Sequence, residues 1–534
     1  MAATGSKDTQ KPVHWADINA QKIIGQRGDK EEYTCASGIT PSGTVHIGNF
    51  REIISVELVV RALRDRGAKV RFIYSWDDYD VFRKVPKNLP KQEMLQQYLR
   101  WPIVLVPDPW DEVESYARAN ELRLERILPT VGVEPSYLYQ AQRYRNSEYA
   151  EGIRRALEYR DTIRGILNQH RSEPLTESWW PVTVFSNFTN TDNTTVLSWD
   201  GEYGLTYRCE DSGREETVDL RETGAVKLLW RIDWPMRWRH EDVDFEPAGK
   251  EHHSAGGSFD TGKQIAEAVY GIGAPATFKY DFISIKGRGG KISSSSGDVI
   301  GLDDVLEIYQ PELVRYLFAG TRPNAEFAIS FDLDVIKIYE DYDRCERVYF
   351  GEEEIGQKRA ARERRTYELS QVNGVPQQRP VQIPFRHLCN LLQIAAGDIE
   401  TAIGNFTDPA SLSEEDYRRI RRRAQCAWNW ITRYAPEGFR FYLKSGEEDP
   451  VDESETERAA IRALREELET RYEEHDEKTL AQAIYDIARE AGMEPKDFFT
   501  VMYRVLIAKE QGPRLAGFLR TIGKERALRI LRAY

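Results

Sequence analysis

Cysteine is scarce in this chain, with five residues among 534. The number is odd and the positions are widely scattered, so the paired spacing of a disulfide framework is missing. This pattern predicts a reducing compartment and thiols that are mostly inert. The five are Cys35, Cys209, Cys345, Cys389 and Cys426.

Long apolar runs are absent as well. No segment is long enough to cross a bilayer. Residues 1–10 are polar, without the apolar core of a secretory signal or the arginine-rich pattern of a transit peptide. We therefore expect a cytoplasmic protein with no membrane partner. The content of 40% hydrophobic residues and 12 tryptophans excludes a disordered chain, and the length predicts roughly two to four domains.

The chain also lacks a net positive charge, since its formal charge is −13. This excludes a general nucleic-acid coat protein, and we expect no DNA partner. Three basic stretches in the second half are nevertheless candidates for selective RNA binding. A solvated helix face is the alternative for each of them. They are residues 358–365, residues 418–423, and the set Lys524, Arg526, Arg529 and Arg532.

Two common phosphate-binding signatures are missing, namely Gly-x-Gly-x-x-Gly and Gly-x4-Gly-Lys-Ser/Thr. Instead, residues 33–37 predict a buried strand, residues 38–43 a turn-rich loop, and residues 48–67 a helix. This order is typical of the phosphate-facing corner of a Rossmann-like fold. His46 at the turn can donate to a phosphate oxygen, and Gly43 and Gly48 allow a nucleotide to approach closely. A structural turn histidine is the alternative.

A second motif supplies cations and hydroxyls. Residues 286–296 read KGRGGKISSSS, in which Lys291 can act as a point charge on polyphosphate and Ser293 and Ser294 can donate hydroxyl groups. A low-complexity linker is the alternative. However, residues 278–285 predict a strand before the motif and residues 301–306 predict the start of a helix after it, which favours a loop within the fold.

A second strand is predicted at residues 70–75, and the acidic segment Asp77, Asp78 and Asp80 follows it. The carboxyl ends of strands are where α/β sheets bind ligands. One or more of these acids is therefore a candidate partner for a substrate ammonium group.

Together these motifs resemble the class I aminoacyl-tRNA synthetases. His46-Ile47-Gly48-Asn49 is similar to their HIGH signature, and residues 291–295 are similar to KMSKS. Residues 227–238, 249–260 and 286–297 narrow the resemblance to the class I lysyl-tRNA synthetases. Three positions depart from the signatures: Asn49, Ile292 and Ser294. Only Ser294 removes a phosphate-binding cation, because it leaves Lys291 as the motif's single lysine.

The resemblance implies an enzyme that activates L-lysine with ATP and Mg²⁺ to lysyl-adenylate and pyrophosphate. The lysyl group then passes to the 2′ hydroxyl of the terminal adenosine of tRNA(Lys). It places His46 and Lys291 on the phosphates, Ser293 and Ser294 in support of the loop, and Gly48 and Asn49 against the adenosine. Five residues are implied near the lysine, with His253 as the rival of His252 and with Trp234 and Trp238 interpreted as packing residues. The five are Gly38, Thr40, Trp230, His252 and Tyr280.

The predicted fold class is α/β, with a Rossmann-like (HUP-type) parallel-sheet catalytic domain that contains an inserted α+β connective region. An all-helical C-terminal domain follows, for which the resemblance implies anticodon binding and a dimerisation domain is the alternative. We expect a monomer. The expected boundaries are a polar tail at 1–20, catalytic halves at 21–85 and 226–300, the insertion at 86–225, a stem-contact helical junction at 301–350 and the helical domain at 351–534.

Many members of this family carry two Cys-x-x-Cys pairs in the insertion, spaced for zinc. This chain keeps only Cys209 there, so we expect no zinc and a knuckle held by the aromatic residues Phe185, Phe188, Trp199 and Tyr207. Two other functions stay open. One is a class I-like nucleotidyltransferase that acts without tRNA, and the other is a synthetase-like RNA-binding protein without catalysis.

Overall fold

The computed structural model describes residues 12–87, 89–286, 300–448 and 453–534. Its N-terminal part has the predicted strand, loop, helix and strand. The predicted polar tail at 1–20 is wrong at its C-terminal end, because the first helix begins at Trp15. Trp15 is buried, and its Nε1 donates to Ala319 O at 2.9 Å. The first elements are α1 (Trp15–Arg27), β1 (Tyr33–Ile39), α2 (Ile47–Arg64) and β2 (Val70–Trp76).

The next part of the chain is helical and then strand-rich, as the sequence predicts. Its three-stranded antiparallel sheet has the order β5-β6-β7. The elements are α3 (Gln92–Gln96), α4 (Tyr116–Ile127), β3 (Ser136–Tyr139), α5 (Gln140–Arg145), α6 (Ala150–Glu158), α7 (Arg160–Asn168), β4 (Val182–Val184), β5 (Thr194–Trp199), β6 (Gly204–Cys209) and β7 (Glu215–Asp219).

The chain then returns to the catalytic region. One difference from the sequence-based expectation is that residues 278–285 form two short strands, which are separated at Asp281 and Phe282. The elements are β8 (Val226–Leu228), α8 (Trp230–His240), β9 (Val243–Phe245), β10 (Ala248–Gly249), α9 (Ser258–Ala268), β11 (Lys279–Tyr280), β12 (Ile283–Lys286), α10 (Leu302–Ile308), α11 (Pro311–Gly320) and β13 (Phe327–Ser330).

The remainder of the described chain is helical, as the sequence predicts for the C-terminal domain. The helices are α12 (Asp334–Tyr349), α13 (Gln357–Ser370), α14 (Phe385–Ile394), α15 (Ile399–Gly404), α16 (Glu414–Arg433), α17 (Glu455–Arg471), α18 (Glu477–Glu490), α19 (Pro495–Ile507), α20 (Leu515–Ile522) and α21 (Lys524–Leu531).

The central sheet is parallel with the order β3-β2-β1-β9. This confirms the Rossmann-like core. Strand β3 lies within residues 86–225, which the sequence analysis assigns to the insertion. The sequence does not predict this strand, because four residues are too few to show a strand period. Strands β1 and β2 end side by side at Ile39 and Trp76. The loops that follow them therefore meet at one edge of the sheet.

Hydrophobic packing joins the sheet to the first helices of the C-terminal half. One core runs from Trp15 to Ala435, whereas residues 441–531 form a second core, to which Ile394 also belongs. The change of core thus falls near residue 440 rather than at 351. In the parts of the chain that the structure describes, no helix combines the length and apolarity needed to span a membrane. All five cysteines are buried and unpaired.

Candidate active site

His46 caps the N-terminus of α2. Its Nδ1 accepts from Asn49 N at 3.2 Å, and the Asn49 side-chain oxygen accepts in turn from His46 N at 3.3 Å. Because Nδ1 is an acceptor, the neutral ring carries its hydrogen on Nε2. Burial lowers the pKa of His46 and so favours that neutral form. The cap therefore leaves a single N–H donor at the free end of the ring.

Gly48 is required by the packing of this ring. A Cβ at position 48 would lie 2.8 Å from His46 Cε1 and 2.9 Å from Nδ1, distances that are shorter than real contacts. A Cβ at Gly43 would meet only the Tyr116 hydroxyl, at 3.8 Å. Tyr116 in α4 also donates to Ser42 O at 2.9 Å. Tyr116, which belongs to the inserted region, thus holds the loop before His46 in place.

Both flanks of the lysine–serine motif are described, while Lys291, Ser293 and Ser294 themselves lie outside the described residues. On the downstream side, Ile47 N donates to Ile300 O at 2.8 Å, and a β-bridge joins His46 to Gly301. On the upstream side, Lys286 ends β12 and forms ion pairs with Asp332 and Asp334. The downstream flank of the motif therefore meets the start of α2.

Arg51 explains the break between β11 and β12. Its guanidinium donates to the carbonyl oxygens of Asp281 and Phe282 at 2.7 and 3.0 Å. The same group donates to Arg322 O and Ala325 O. Carbonyls that bond a side chain are not available to a strand ladder, so the predicted single strand is interrupted.

Glu52 is a functional candidate that sequence reasoning missed. Its carboxylate accepts from Ser37 Oγ at 2.8 Å, Gly38 N at 3.3 Å and the Tyr280 hydroxyl. No cation pairs with it among the described residues. Burial raises the pKa of Glu52, and it raises the pKa of Tyr280 well above its ordinary value, so the phenol stays a neutral donor. Glu52 thereby brings together Gly38 and Tyr280, two predicted lysine-site residues.

A signal for Glu52 exists in the sequence. It is the only acid in the first two turns of α2, on a helix whose neighbouring positions Phe50, Ile53 and Ile54 are buried. An acid on a buried helix face needs a partner. Glycine is required at position 38, because a Cβ there would lie 2.7 Å from Ser75 O.

The acids after β2 are already partnered. Asp77 accepts from Arg237 at 2.6 Å, and Asp80 pairs with Lys227 at 3.0 Å and accepts from Thr40 Oγ1 at 2.7 Å. Asp78 accepts from Ala141 N on another side of the strand end. The structure thus favours Glu52 over Asp77 and Asp80 as the partner of a substrate ammonium group.

The tryptophans of α8 form a stacked row. Trp230 lies 5.1 Å from Trp234, and Trp234 lies 5.0 Å from Trp238, measured between ring centroids. Trp234 and Trp238 are buried, whereas Trp230 is 36% exposed and stands at the open end of the row. Trp234 and Trp238 are thus packing residues, while the assignment of Trp230 to the lysine site stays a prediction.

His252 and His253 point to different surroundings. The His252 ring lies 5.9 Å from Trp234 and is partly exposed. The His253 ring packs on Phe259 at 4.7 Å, with its Nε2 at 3.5 Å from Thr277 Oγ1. Contact with the tryptophan row favours His252 as the lysine-site candidate.

A cavity of about 470 Å³ opens where the catalytic sheet meets the inserted region. It includes the predicted residues Thr40 and Trp230. The rest of its wall combines apolar, basic and hydroxyl-bearing residues with one acid, Asp80. These residues are Ser42, Asp80, Val81, Phe82, Arg83, Lys84, Pro86, Lys87, Ile103, Thr183, Lys227, Leu228 and Leu229.

The knuckle in the insertion packs through its aromatic residues. Phe185 and Tyr207 are buried in the core of the inserted region, with Phe188 and Trp199 packed against them. Cys209 Sγ lies 3.6 Å from Thr189 Oγ1. Throughout residues 12–87, 89–286, 300–448 and 453–534, no three His, Cys, Asp or Glu side chains are grouped to hold a metal ion.

The basic stretch 418–423 is only in part a free surface: Arg418, Arg421 and Arg422 are exposed, but most of its arginines have partners within the protein. Arg423 is fully buried and donates to Asp343 at 2.5 Å, and Arg422 donates to Leu306 O. Arg421 pairs with Glu400 at 2.9 Å. Only Arg418 is both exposed and distant from strong partners, with Glu414 at 3.9 Å. The expectation that this stretch binds RNA is therefore wrong at Arg423, whose charge is paired with Asp343 between two helices.

Comparison with known proteins places the chain in one family. Residues 13–373 match the family model described as "tRNA synthetases class I (K)". The "Lysine--tRNA ligase" of Treponema pallidum is 53% identical over 98% of this chain and 99% of its own length. That of Borreliella burgdorferi is 51% identical over 98% and 100%. Among solved structures, a glutamate tRNA ligase from Elizabethkingia meningosepticum aligns with a TM-score of 0.42 at 15% identity, covering 94% of this chain and 99% of that one.

Proposed function

This chain belongs to the tRNA synthetases class I (K), and from that membership and the site geometry we infer that it is a lysine–tRNA ligase. It activates L-lysine with ATP and transfers the lysyl group to tRNA(Lys). The observation that carries the choice of lysine is the cluster in which Glu52 holds Gly38 and Tyr280 without a cation of its own.

In the first step, the lysine carboxylate attacks the α-phosphorus of ATP, and pyrophosphate leaves. The free Nε2–H of His46 donates to the phosphate oxygens as their negative charge develops. Lys291, with Ser293 and Ser294, supplies the second contact to the phosphates from the adjacent loop. No protein nucleophile takes part, so positioning and charge stabilisation are what the protein contributes.

The lysine side chain is selected by charge and by shape. Glu52 accepts the ε-ammonium group, and the Tyr280 hydroxyl keeps the carboxylate oriented. Trp230 covers the methylene stem and attracts the cation through its ring face. Thr40 and His252 complete the site. Arginine and shorter amino acids do not match the positions of the Glu52 carboxylate and the Tyr280 hydroxyl. Discrimination between substrates is strong when polar groups of the site are left unpaired in this way.

The nucleotide side of the proposal uses Gly43, Gly48 and Asn49. Gly43 lets ATP approach the loop, and Gly48 keeps the His46 ring in place beside the adenosine. Mg²⁺ arrives with ATP on phosphate oxygens, as is usual for this ion. Asn49 already bonds His46 through the cap, so its contribution includes fixing the histidine.

Amino-acid-dependent ATP–pyrophosphate exchange tests the activity, run with each amino acid and repeated with tRNA present. We expect exchange with lysine alone, and its loss in Lys291→Ala. His46→Asn is the sharper variant, because asparagine is a good N-cap but lacks the distal donor. We expect about a 100-fold lower rate with unchanged thermal stability. Exchange with another amino acid, or none with tRNA present, would contradict the proposal.

The finer properties are proposed with their own tests. We propose a cytoplasmic monomer without a DNA partner, to be checked by fractionation, light scattering and DNA-binding assays. We also propose a knuckle without zinc. Elemental analysis of the purified protein is expected to show far less than one zinc per chain.

A further inference from the structure

The loop between β1 and α2 is held by two side chains of helix α4, which belongs to the inserted region. The Tyr116 hydroxyl donates to Ser42 O at 2.9 Å, and Asn120 Nδ2 donates to Pro41 O at 3.3 Å. Both side chains are buried, with 0% and 1% of their surface exposed. Two successive carbonyl groups of the loop therefore point toward α4.

Helix α4 is itself fastened to the catalytic sheet, so it supports this loop firmly. Its residue Glu125 accepts from Trp76 Nε1 at 3.0 Å, at the end of β2, and from the Tyr139 hydroxyl at 2.8 Å, at the end of β3. The Tyr116 ring packs against Phe82, with the ring centroids 5.6 Å apart. Burial raises the pKa of Tyr116 to about 12, so the phenol keeps its proton at neutral pH and stays a donor to the loop.

The direction of the Ser42 carbonyl fixes the direction of the next N–H group. The bond between Ser42 and Gly43 is a planar trans peptide, in which C=O and N–H point in opposite directions. Because Ser42 O faces Tyr116, the Gly43 N–H faces away from α4. Ser42 N donates to Thr40 O at 2.8 Å, whereas no acceptor for Gly43 N lies among the described residues. The Gly43 N–H is therefore the first donor of this loop that the described protein leaves unused.

This N–H group is suited to an anion. Gly43 is partly exposed, so a ligand can reach it, and it lies three residues before His46, the proposed phosphate donor. The hydrogen bond that Ser42 O accepts polarises the peptide group and strengthens the N–H on its other side. A donor held in this way needs no reorganisation when negative charge develops near it, which is why fixed donors are effective in catalysis.

We propose that the Gly43 N–H donates to a phosphate oxygen of ATP during activation, and that Tyr116 is the positioning residue that keeps this N–H aimed. The inference rests on the proposed function. In that step a lysine carboxylate oxygen forms a bond to the α-phosphorus, the bond to the bridging oxygen breaks, and pyrophosphate leaves with the electron pair. No proton is transferred. The Gly43 N–H and the His46 ring both stabilise the charge that develops on the phosphate oxygens.

Tyr116→Phe tests the positioning role, since it removes only the hydroxyl group. The matched control is Tyr270→Phe, because Tyr270 is also buried and its hydroxyl also donates to a backbone carbonyl, Gly152 O, at 3.2 Å. In Tyr116→Phe we expect kcat for lysine-dependent ATP–pyrophosphate exchange to fall about 10-fold or more, with the KM for lysine within about twofold of wild type. Tyr270→Phe should keep the wild-type kcat. Equal kcat values in the two variants would overturn the positioning role.

Gly43→Pro tests the donor itself, and Gly43→Ala is its matched partner. Both add carbon at a position without positive φ, but only proline removes the N–H. We expect the kcat of Gly43→Pro to lie about 100-fold below that of Gly43→Ala. Equal values would overturn the donor. If thermal melting shows that Gly43→Pro is unfolded, the comparison of Tyr116→Phe with Tyr270→Phe decides alone.

Failure of this inference is distinguishable from failure of the proposed function. If wild type catalyses exchange with lysine while the variants of either pair have equal kcat values, only this assignment fails. If wild type shows no lysine-dependent exchange, with or without tRNA, the proposed function fails and this inference fails with it.

Discussion

At the scale of single residues, the site is decided by which charges are already neutralised. Asp77 and Asp80 have Arg237 and Lys227 as partners, whereas Glu52 has only neutral donors among the described residues. A carboxylate without a cation in a closed site is a receptor for one. Glu52 is thus the residue on which lysine specificity should depend most.

Replacing Glu52 with glutamine should raise the KM for lysine. The variant keeps the shape and an acceptor oxygen but loses the charge, and truncating one partner of a buried ion pair costs about 3 kcal/mol, or roughly 100-fold. Tyr280→Phe should have a smaller effect, since the carboxylate remains. Steady-state exchange kinetics measure both, and an unchanged KM in Glu52→Gln would argue against this role.

The KM for lysine should also depend on pH. Burial raises the pKa of Glu52 above its ordinary value of 4.5. As pH falls through that raised pKa the carboxylate gains a proton, so the KM should rise on the acidic side and level off above it. Glu52→Gln should abolish the dependence. Glu246→Gln serves as a control because burial raises the pKa of Glu246 as well, to about 7. The result contradicts the assignment if Glu246→Gln alone removes the dependence.

At the scale of elements, helix α2 organises the site. His46 is its N-cap, and the hydrogen bond from Asn49 N orients the His46 ring. One turn later, Arg51 and Glu52 hold the segment that carries Tyr280. One helix therefore connects the proposed nucleotide side with the proposed lysine side. A disturbance of its first turn should affect catalysis more than folding.

Gly48→Ala should lower the rate constant for activation by about 10- to 100-fold. The new Cβ would lie 2.8 Å from His46 Cε1, so the ring has to move and Nε2 leaves its position. Gly25→Ala in α1, where nothing lies within 4 Å of the added carbon, is the matched control. Rapid-quench measurements of adenylate formation compare them, and equal rates in both variants would exclude the proposed constraint.

At the scale of the whole molecule, buried charges tie the helical half to the catalytic half. Arg315 in α11 pairs with Glu57 in α2 and donates to Leu369 O in α13 at 3.0 Å, and Arg423 in α16 pairs with Asp343 in α12. These pairs lie inside the core that extends from Trp15 to Ala435. The first helices of the C-terminal half are therefore part of the same folding unit as the sheet.

Arg423→Ala should destabilise the protein by about 3–5 kcal/mol, because it leaves Asp343 buried without its cation. Arg418→Ala, five residues earlier on the same helix and exposed, should change stability by less than about 0.5 kcal/mol. Urea unfolding followed by circular dichroism measures both. Similar stabilities would mean that the buried pair adds nothing to this contact.

The local elements followed from the sequence because they depend on neighbouring residues. Strand β1, helix α2 and strand β2 each have a period or a cap within a few positions. The motif around His46 was recognised for the same reason. Strand β3 and the break at Asp281 were not, since one depends on pairing with β2 and the other on Arg51, 230 residues away.

The sequence by itself determined the family, the position of His46 before α2 and the α/β core, since all three are expressed in contiguous motifs. The tertiary structure decided which acids are free, which arginines are buried and where the cavity opens. Charges such as those of Glu52, Asp80 and Arg423 acquire their roles from partners distant in the chain. Only folding brings those partners within hydrogen-bonding distance, and so only the folded molecule separates a substrate receptor from an internal ion pair.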